Sequence, residues 1–157
     1  MQGRQQNNSK IITAIFLIIA PLVFFACGVD LNNELVEKAK AGDSAAIERL
    51  LAEGADVNAI DNKHGSTALM WAAHNGHSET VKILIRNGAT IDQKRTKGET
   101  ALWFSAQKGQ LEPLKVLVNN GADINVVGRD GETSLVVARK NGHSAVVKYL
   151  LKCGASE

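Results

Sequence analysis

Gly98-Glu99-Thr100-Ala101-Leu102, followed by Gly109-Gln110 and then by Gly121-Ala122-Asp123-Ile124-Asn125, is the stretch whose reading decides the fold. It recurs. Gly65-Ser66-Thr67-Ala68-Leu69 precedes it and Gly131-Glu132-Thr133-Ser134-Leu135 follows it, each trailed by a Gly-His pair, Gly76-His77 and Gly142-His143. The dipeptide Gly-Ala sets the period: Gly54-Ala55, Gly88-Ala89, Gly121-Ala122 and Gly154-Ala155 are spaced by 34, 33 and 33 residues. Self-similarity at such a period means units that cannot bury an apolar face alone and must stack to do so.

The local chemistry agrees with stacked helix pairs. Thr67, Thr100 and Thr133 suit helix N-caps, where a hydroxyl accepts a free backbone N–H. Gly76, Gly109 and Gly142 stand where the chain must leave a first helix in a left-handed conformation. Ser44, Ser78 and Ser144 then start second helices, whose apolar runs include Val81 to Ile85, Leu114 to Val118 and Val146 to Leu151. Pro113 falls in a first turn, where its missing N–H costs nothing. Each helix spans about 8–10 residues, below the roughly 12–15 that an isolated helix needs. Stability must therefore come from neighbouring units.

This pattern resembles the ankyrin repeat, G-x-T-P-L-H-x-A-A-x-x-G-H followed by V-V-x-L-L-L-x-x-G-A-D-V-N. Asp56-Val57-Asn58 and Asp123-Ile124-Asn125 complete it literally, and the resemblance covers residues 34–157. Ala68, Ala101 and Ser134 stand where the family prefers proline, a departure that costs preorganisation only. The resemblance implies an all-α ankyrin-repeat solenoid of four stacked helix-turn-helix units with short β-hairpin loops. The units are 34–60 as an N-terminal cap, 61–94, 95–127, and 128–157 as a C-terminal cap. Arg139 occupies the place of Ala73 and Ala106, where a small residue lets the next unit approach, so the array is expected to end there.

Ahead of the repeats, residues 1–10 are polar and carry Arg4 and Lys10, and Ile11 to Ala26 is apolar except for Thr13. That order reads as an export leader, 1–26, followed by a short tether, 27–33. Phe24-Phe25-Ala26-Cys27 resembles the lipobox of bacterial lipoproteins, with Phe24 and Phe25 departing from it, and implies lipidation at Cys27. Two other readings stay open. The stretch Ile11 to Val29 approaches the roughly 20 residues that span a bilayer, and cleavage after Gly28 is a third outcome. The lipoprotein and signal-anchor readings both place the body at a membrane, the first at the periplasmic face of a bacterial envelope and the second on a single-pass anchor.

Composition narrows the function. Of 157 residues, 45% are hydrophobic but only 4% aromatic, so the body packs on Leu, Ile, Val and Ala. The net charge of +2 comes from the leader. A neutral body argues against nucleic acid, whose binding rests on phosphate neutralisation. Residues 27–93 nevertheless carry a net −4 and residues 94–157 a net +4, with Lys94, Arg95 and Lys97 as the densest basic spot, read as a solvated loop. Cys27 and Cys153 lie at opposite ends of the array, too far apart to bridge.

No catalytic constellation emerges: the glycines are accounted for by turns, and neither G-x-S-x-G nor a P-loop pattern occurs. His77 and His143 belong to the Gly-His pairs, and His64 and His74 lack a partner set, so neither a metal nor a cofactor is expected. Family resemblance places the partner-binding face at loop tips and at the exposed ends of first helices. The residues are Lys63, His64, Ser66, His74 and Asn75 in one unit, then Thr96, Lys97, Glu99, Gln107 and Lys108 in the next. Arg129, Asp130, Glu132, Lys140 and Asn141 continue it, and Lys40 and Ala41 open it. Trp71 and Phe104, at equivalent positions, together with Trp103, form a candidate aromatic anchor weighed against simple core packing. Trp103 replaces the family's histidine, breaks the usual Thr–His hydrogen bond, and is expected to be partly exposed. The function these features imply is an exported, membrane-tethered module binding a protein partner across its concave face, with no enzymatic activity. The alternative is a self-associating structural protein of the envelope.

Overall fold

The computed structural model describes residues 30–156. The leader, the lipidation site Cys27 and the first three residues of the tether lie outside the described residues. Among the described residues eight α-helices follow in pairs: α1 (Leu31–Ala41) with α2 (Ser44–Ala52), α3 (Ala68–Asn75) with α4 (Ser78–Arg86), α5 (Ala101–Lys108) with α6 (Leu111–Asn119), and α7 (Ser134–Lys140) with α8 (Ser144–Lys152). First helices pack on first helices, α1 on α3 on α5 on α7, and second helices on second helices, α2 on α4 on α6 on α8. The result is a two-layer, all-helical stack of four units.

Helix α1 begins at Leu31, not at Glu34, so the last three residues assigned to the tether form its first turn. Packing and a hydrogen bond to the loop after α2 accompany this earlier start. Leu31 is half-buried against the core, and the Asn32 side chain accepts the Asp56 N–H at 2.8 Å.

The helix starts follow the threonines. Thr67 accepts from the Met70 N–H, Thr100 from Trp103 and Thr133 from Val136, at 3.2, 3.3 and 3.4 Å. Gly76 and Gly109 end α3 and α5 with φ of 88° and 71°, a left-handed geometry that strains any residue with a Cβ. The hairpins reduce to single antiparallel bridges among the described residues, Ile60 with Thr67 and Val127 with Thr133. The loop before α5 turns within four residues, Gly98 N–H to Arg95 C=O at 2.8 Å, leaving no length for a ladder.

The apolar seam is continuous. Leu69, Leu102 and Leu135 take matching interior places at the starts of α3, α5 and α7, each no more than 1% exposed. Leu50, Leu84, Leu117 and Leu150 repeat the same way on the second helices, fully buried. Ala72, Ala73, Ala106 and Ala138 are buried where first helices approach one another, while Arg139, one place past Ala138, points to solvent.

Two polar ladders tie unit to unit. His77 Nε2 lies 3.0 Å from the Lys40 carbonyl and His143 Nε2 3.0 Å from the Gln107 carbonyl. Between them, Gln110 Nε2 donates to the His74 carbonyl at 3.4 Å. At the loop ends Thr90 N–H donates to Asn58, Asp123 N–H to Asp92 and Ser156 N–H to Asn125, at 2.8, 3.1 and 3.0 Å. These rungs satisfy backbone groups that a short helix leaves without a partner.

Candidate binding face

The first helices carry the site because nothing covers their outer side among the described residues. Trp71 on α3 and Phe104 on α5 stand one unit apart, half-buried, with His74 between them. The rings form a chain of edge contacts: His64 to Trp71 at 5.4 Å, Trp71 to His74 at 5.6 Å, His74 to Phe104 at 5.9 Å, and Phe104 to Trp103 at 5.5 Å. His64, Ser66, Met70, Trp71, His74, Arg95 and Phe104 line an open cleft of about 140 Å³.

Two cations sit on this strip. Lys40 Nζ lies 4.7 Å from the Trp71 ring centroid and the Arg95 guanidinium 5.8 Å from that of Phe104, both within cation–π range. Arg95 is held there by its Nε, which donates to the His64 carbonyl at 2.6 Å. Read from sequence as part of a solvated basic loop, Arg95 instead turns inward and becomes a wall of the cleft.

Asp61 fixes the indole. Trp71 Nε1 donates to Asp61 Oδ2 at 2.6 Å, and the His64 backbone N–H donates to Asp61 Oδ1. Burial by itself raises the carboxyl's pKa. The Trp71 and His64 hydrogen bonds, with the nearby charges of His64 and Lys40, outweigh it, and the net shift is below the ordinary aspartate value. Asp61, Met70 and Arg95 were not legible as site residues. The signal available was position-matched variation: Asp61, Arg95 and Gly128 occupy the same place in successive loops, each N–H bonded to the carbonyl opposite, at Ser66, Glu99 and Glu132.

The expected face residues divide by burial. Lys63, Asn75, Thr96, Lys97, Lys108, Asp130, Lys140 and Asn141 are exposed, and His64, His74, Gln107, Arg129 and Glu132 half-buried. Ser66 and Glu99 are buried, 3% and 1% exposed, so neither reaches the surface expected of it. Glu99 faces the next loop instead, 3.1 Å from Arg129 Nε. Lys140 pairs with Glu132, and the hydrogen bond and charge of that carboxylate raise its pKa.

Trp103 corrects a further expectation. It is 3% exposed, packed beneath Gly128, where an added Cβ would lie 2.8 Å from the indole Cδ1. Its Nε1 is buried with no hydrogen-bond partner among the described residues. Of the three aromatic residues singled out, Trp71 and Phe104 face the cleft, and Trp103 belongs to the core behind it.

Comparison with known proteins places this architecture. The family model described as ankyrin repeats (3 copies) matches residues 35–128 and 88–157. Osteoclast-stimulating factor 1 of Rattus norvegicus is 43% identical over 54 residues, 34% of this chain and 25% of that protein. Ankyrin repeat domain-containing protein 40 of Homo sapiens is 33% identical over 66 residues, covering 42% of this chain and 18% of that one. Palmitoyltransferase AKR1 of Lachancea kluyveri is 38% identical over 90 residues, 56% of this chain but 12% of its own length. The chain thus spans a quarter or less of each of these relatives.

Proposed function

The chain belongs to the ankyrin-repeat family, and on that premise we propose that it is a protein-binding module engaging a partner across the first-helix face. The observation that carries this reading is the half-exposed strip Trp71–His74–Phe104, walled by Lys40 and Arg95. Aromatic and arginine side chains in a partly desolvated recess are the usual anchors of protein interfaces. The cleft on this face is open, which suits a module that binds a partner and does not catalyse. Contacts extend along the exposed Lys97, Lys108 and Asn141.

The proposal extends to the N-terminal segment. Residues 1–26 act as an export leader and Cys27 receives a lipid, on the strength of the two basic residues, the apolar stretch and the partial lipobox. In that form the body sits at the periplasmic face of a bacterial envelope, with a single-pass anchor as the alternative. Among the described residues no helix is long and apolar enough to cross a membrane. Intact mass of the mature protein discriminates: a diacylglyceryl adduct on a chain beginning at Cys27 supports lipidation, and an unmodified full-length chain excludes it.

The partner reading is tested by affinity capture from the native host. Wild type should retain a stoichiometric protein that is lost when Lys97, Lys108 and Lys140 are all changed to Glu. Retention unaltered by that change counts against the face. The second reading, head-to-tail self-association, draws on the opposite net charges of the two halves, −4 and +4. It requires salt-dependent sedimentation of the isolated protein as more than a monomer.

A further inference from the structure

The occupant of the cleft between α3 and α5 has a definable chemistry. Its apolar lining is made by Met70, Trp71 and Phe104. Each aromatic face already carries a cation of the chain itself, Lys40 on Trp71 and Arg95 on Phe104. A cationic ligand would meet repulsion from both, and its natural seats over the rings are taken. The carboxylate bonded into the strip among the described residues, Asp61, is 5% exposed and engaged by the Trp71 indole and the His64 N–H, so it offers an incoming cation little. Lys40 is matched by Glu37 at 2.6 Å, but that pair is on the surface, Glu37 being 57% exposed, and such pairs exchange at little cost.

We propose that the cleft takes an apolar side chain from a partner segment in which that residue is flanked by carboxylates. The apolar group fills the cleft beside Met70, Trp71 and Phe104, and the flanking carboxylates pair with Arg95 on one side and Lys40 on the other. Arg95 supplies the stronger of the two contacts, because its Nε is tied to the His64 carbonyl at 2.6 Å and its remaining N–H groups are held in a fixed plane. This assignment rests on the partner-binding reading above and narrows it to one class of peptide.

The test uses the indole N–H resonance of Trp71 as reporter in the folded chain, titrated with capped tripeptides. Acetyl-Asp-Phe-Asp-amide should move that resonance and leave the buried Trp103 resonance in place. Acetyl-Lys-Phe-Lys-amide and acetyl-Asp-Ser-Asp-amide should move it at least about tenfold less at equal concentration, one charge-assisted contact or one buried ring being worth about that factor. Arg95→Gln and Lys40→Gln should each weaken the acidic peptide severalfold while the circular dichroism spectrum stays that of wild type. Equal response to the cationic peptide, equal response to the serine peptide, or no response at Trp71 overturns the assignment. If the tripeptides fail while capture of a partner still depends on the first-helix face, the cleft chemistry falls and the broader reading stands.

Discussion

Trp71 Nε1 donates to Asp61 Oδ2 at 2.6 Å, and that bond anchors an indole that lines the cleft and also packs on the core of the stack. Asp61 is thereby both a structural acceptor and the residue that aims the aromatic strip. Replacing it with Ala leaves the indole N–H and the His64 N–H without their acceptor. The expected loss is about 1.5–3 kcal/mol in urea unfolding, the range for hydrogen bonds to a charged group.

The same residue gives a pH dependence. Its folded-state pKa lies below the unfolded value, so its stabilisation is complete above the unfolded value of about 3.9 and is lost as pH falls through the folded one. The stability difference between wild type and Asp61→Ala, followed by thermal melts, should stay level at neutral and mildly acidic pH. It should shrink below about pH 4. A difference that grows on acidification contradicts the direction of the shift.

Leu102 is buried on α5, which packs on both α3 and α7, whereas Leu135 is buried on α7, in the fourth unit. Leu102→Ala should cost about 2–5 kcal/mol by cavity formation and lower the unfolding midpoint of the whole array. Leu135→Ala should act more locally, with early loss of amide protection in α7 and α8, because a repeat stack depends on nearest-neighbour interfaces. Hydrogen exchange separates the two patterns.

Gly109 and His143 are a matched pair. A Cβ at Gly109 would lie 2.6 Å from His143 Nδ1, and His143 Nε2 reaches the Gln107 carbonyl at 3.0 Å. Gly109→Ala therefore combines a clash with a strained φ of 71°, and should cost more than the ~1 kcal/mol of a simple glycine change. His143→Ala on the Gly109→Ala background should recover the clash but not the backbone strain, a non-additivity readable in a double-mutant cycle.

Trp103 holds a buried Nε1 with no hydrogen-bond partner among the described residues. Phe removes that donor and some volume, effects of opposite sign, so Trp103→Phe should change stability by no more than about 1.5 kcal/mol. A loss of more than about 3 kcal/mol in urea unfolding would mean that the indole N–H is well satisfied.

Much of the fold was legible from local chemistry. Threonine caps, the Gly-His pairs and the recurring leucines each constrain the backbone through neighbours within a few residues or at a fixed period. The start of α1 was not, because Leu31 and Asn32 earn their helical places through contacts with the core and with Asp56, which no local pattern announces. The site was half legible. Trp71 and Phe104 share a repeat position, so their alignment followed from the period. The burial of Trp103 depends on Gly128 in the next loop, and the inward turn of Arg95 on the His64 carbonyl in the previous one. Both are contacts between units, set by which residue happens to face which across the stack.

The face that meets the partner can be read directly by photo-crosslinking in the native host. A benzophenone amino acid at His74, on the strip, should give a discrete adduct with one protein. The same group at Lys82, exposed on the second-helix side, should give none. An adduct at position 82 without one at position 74 would contradict the account.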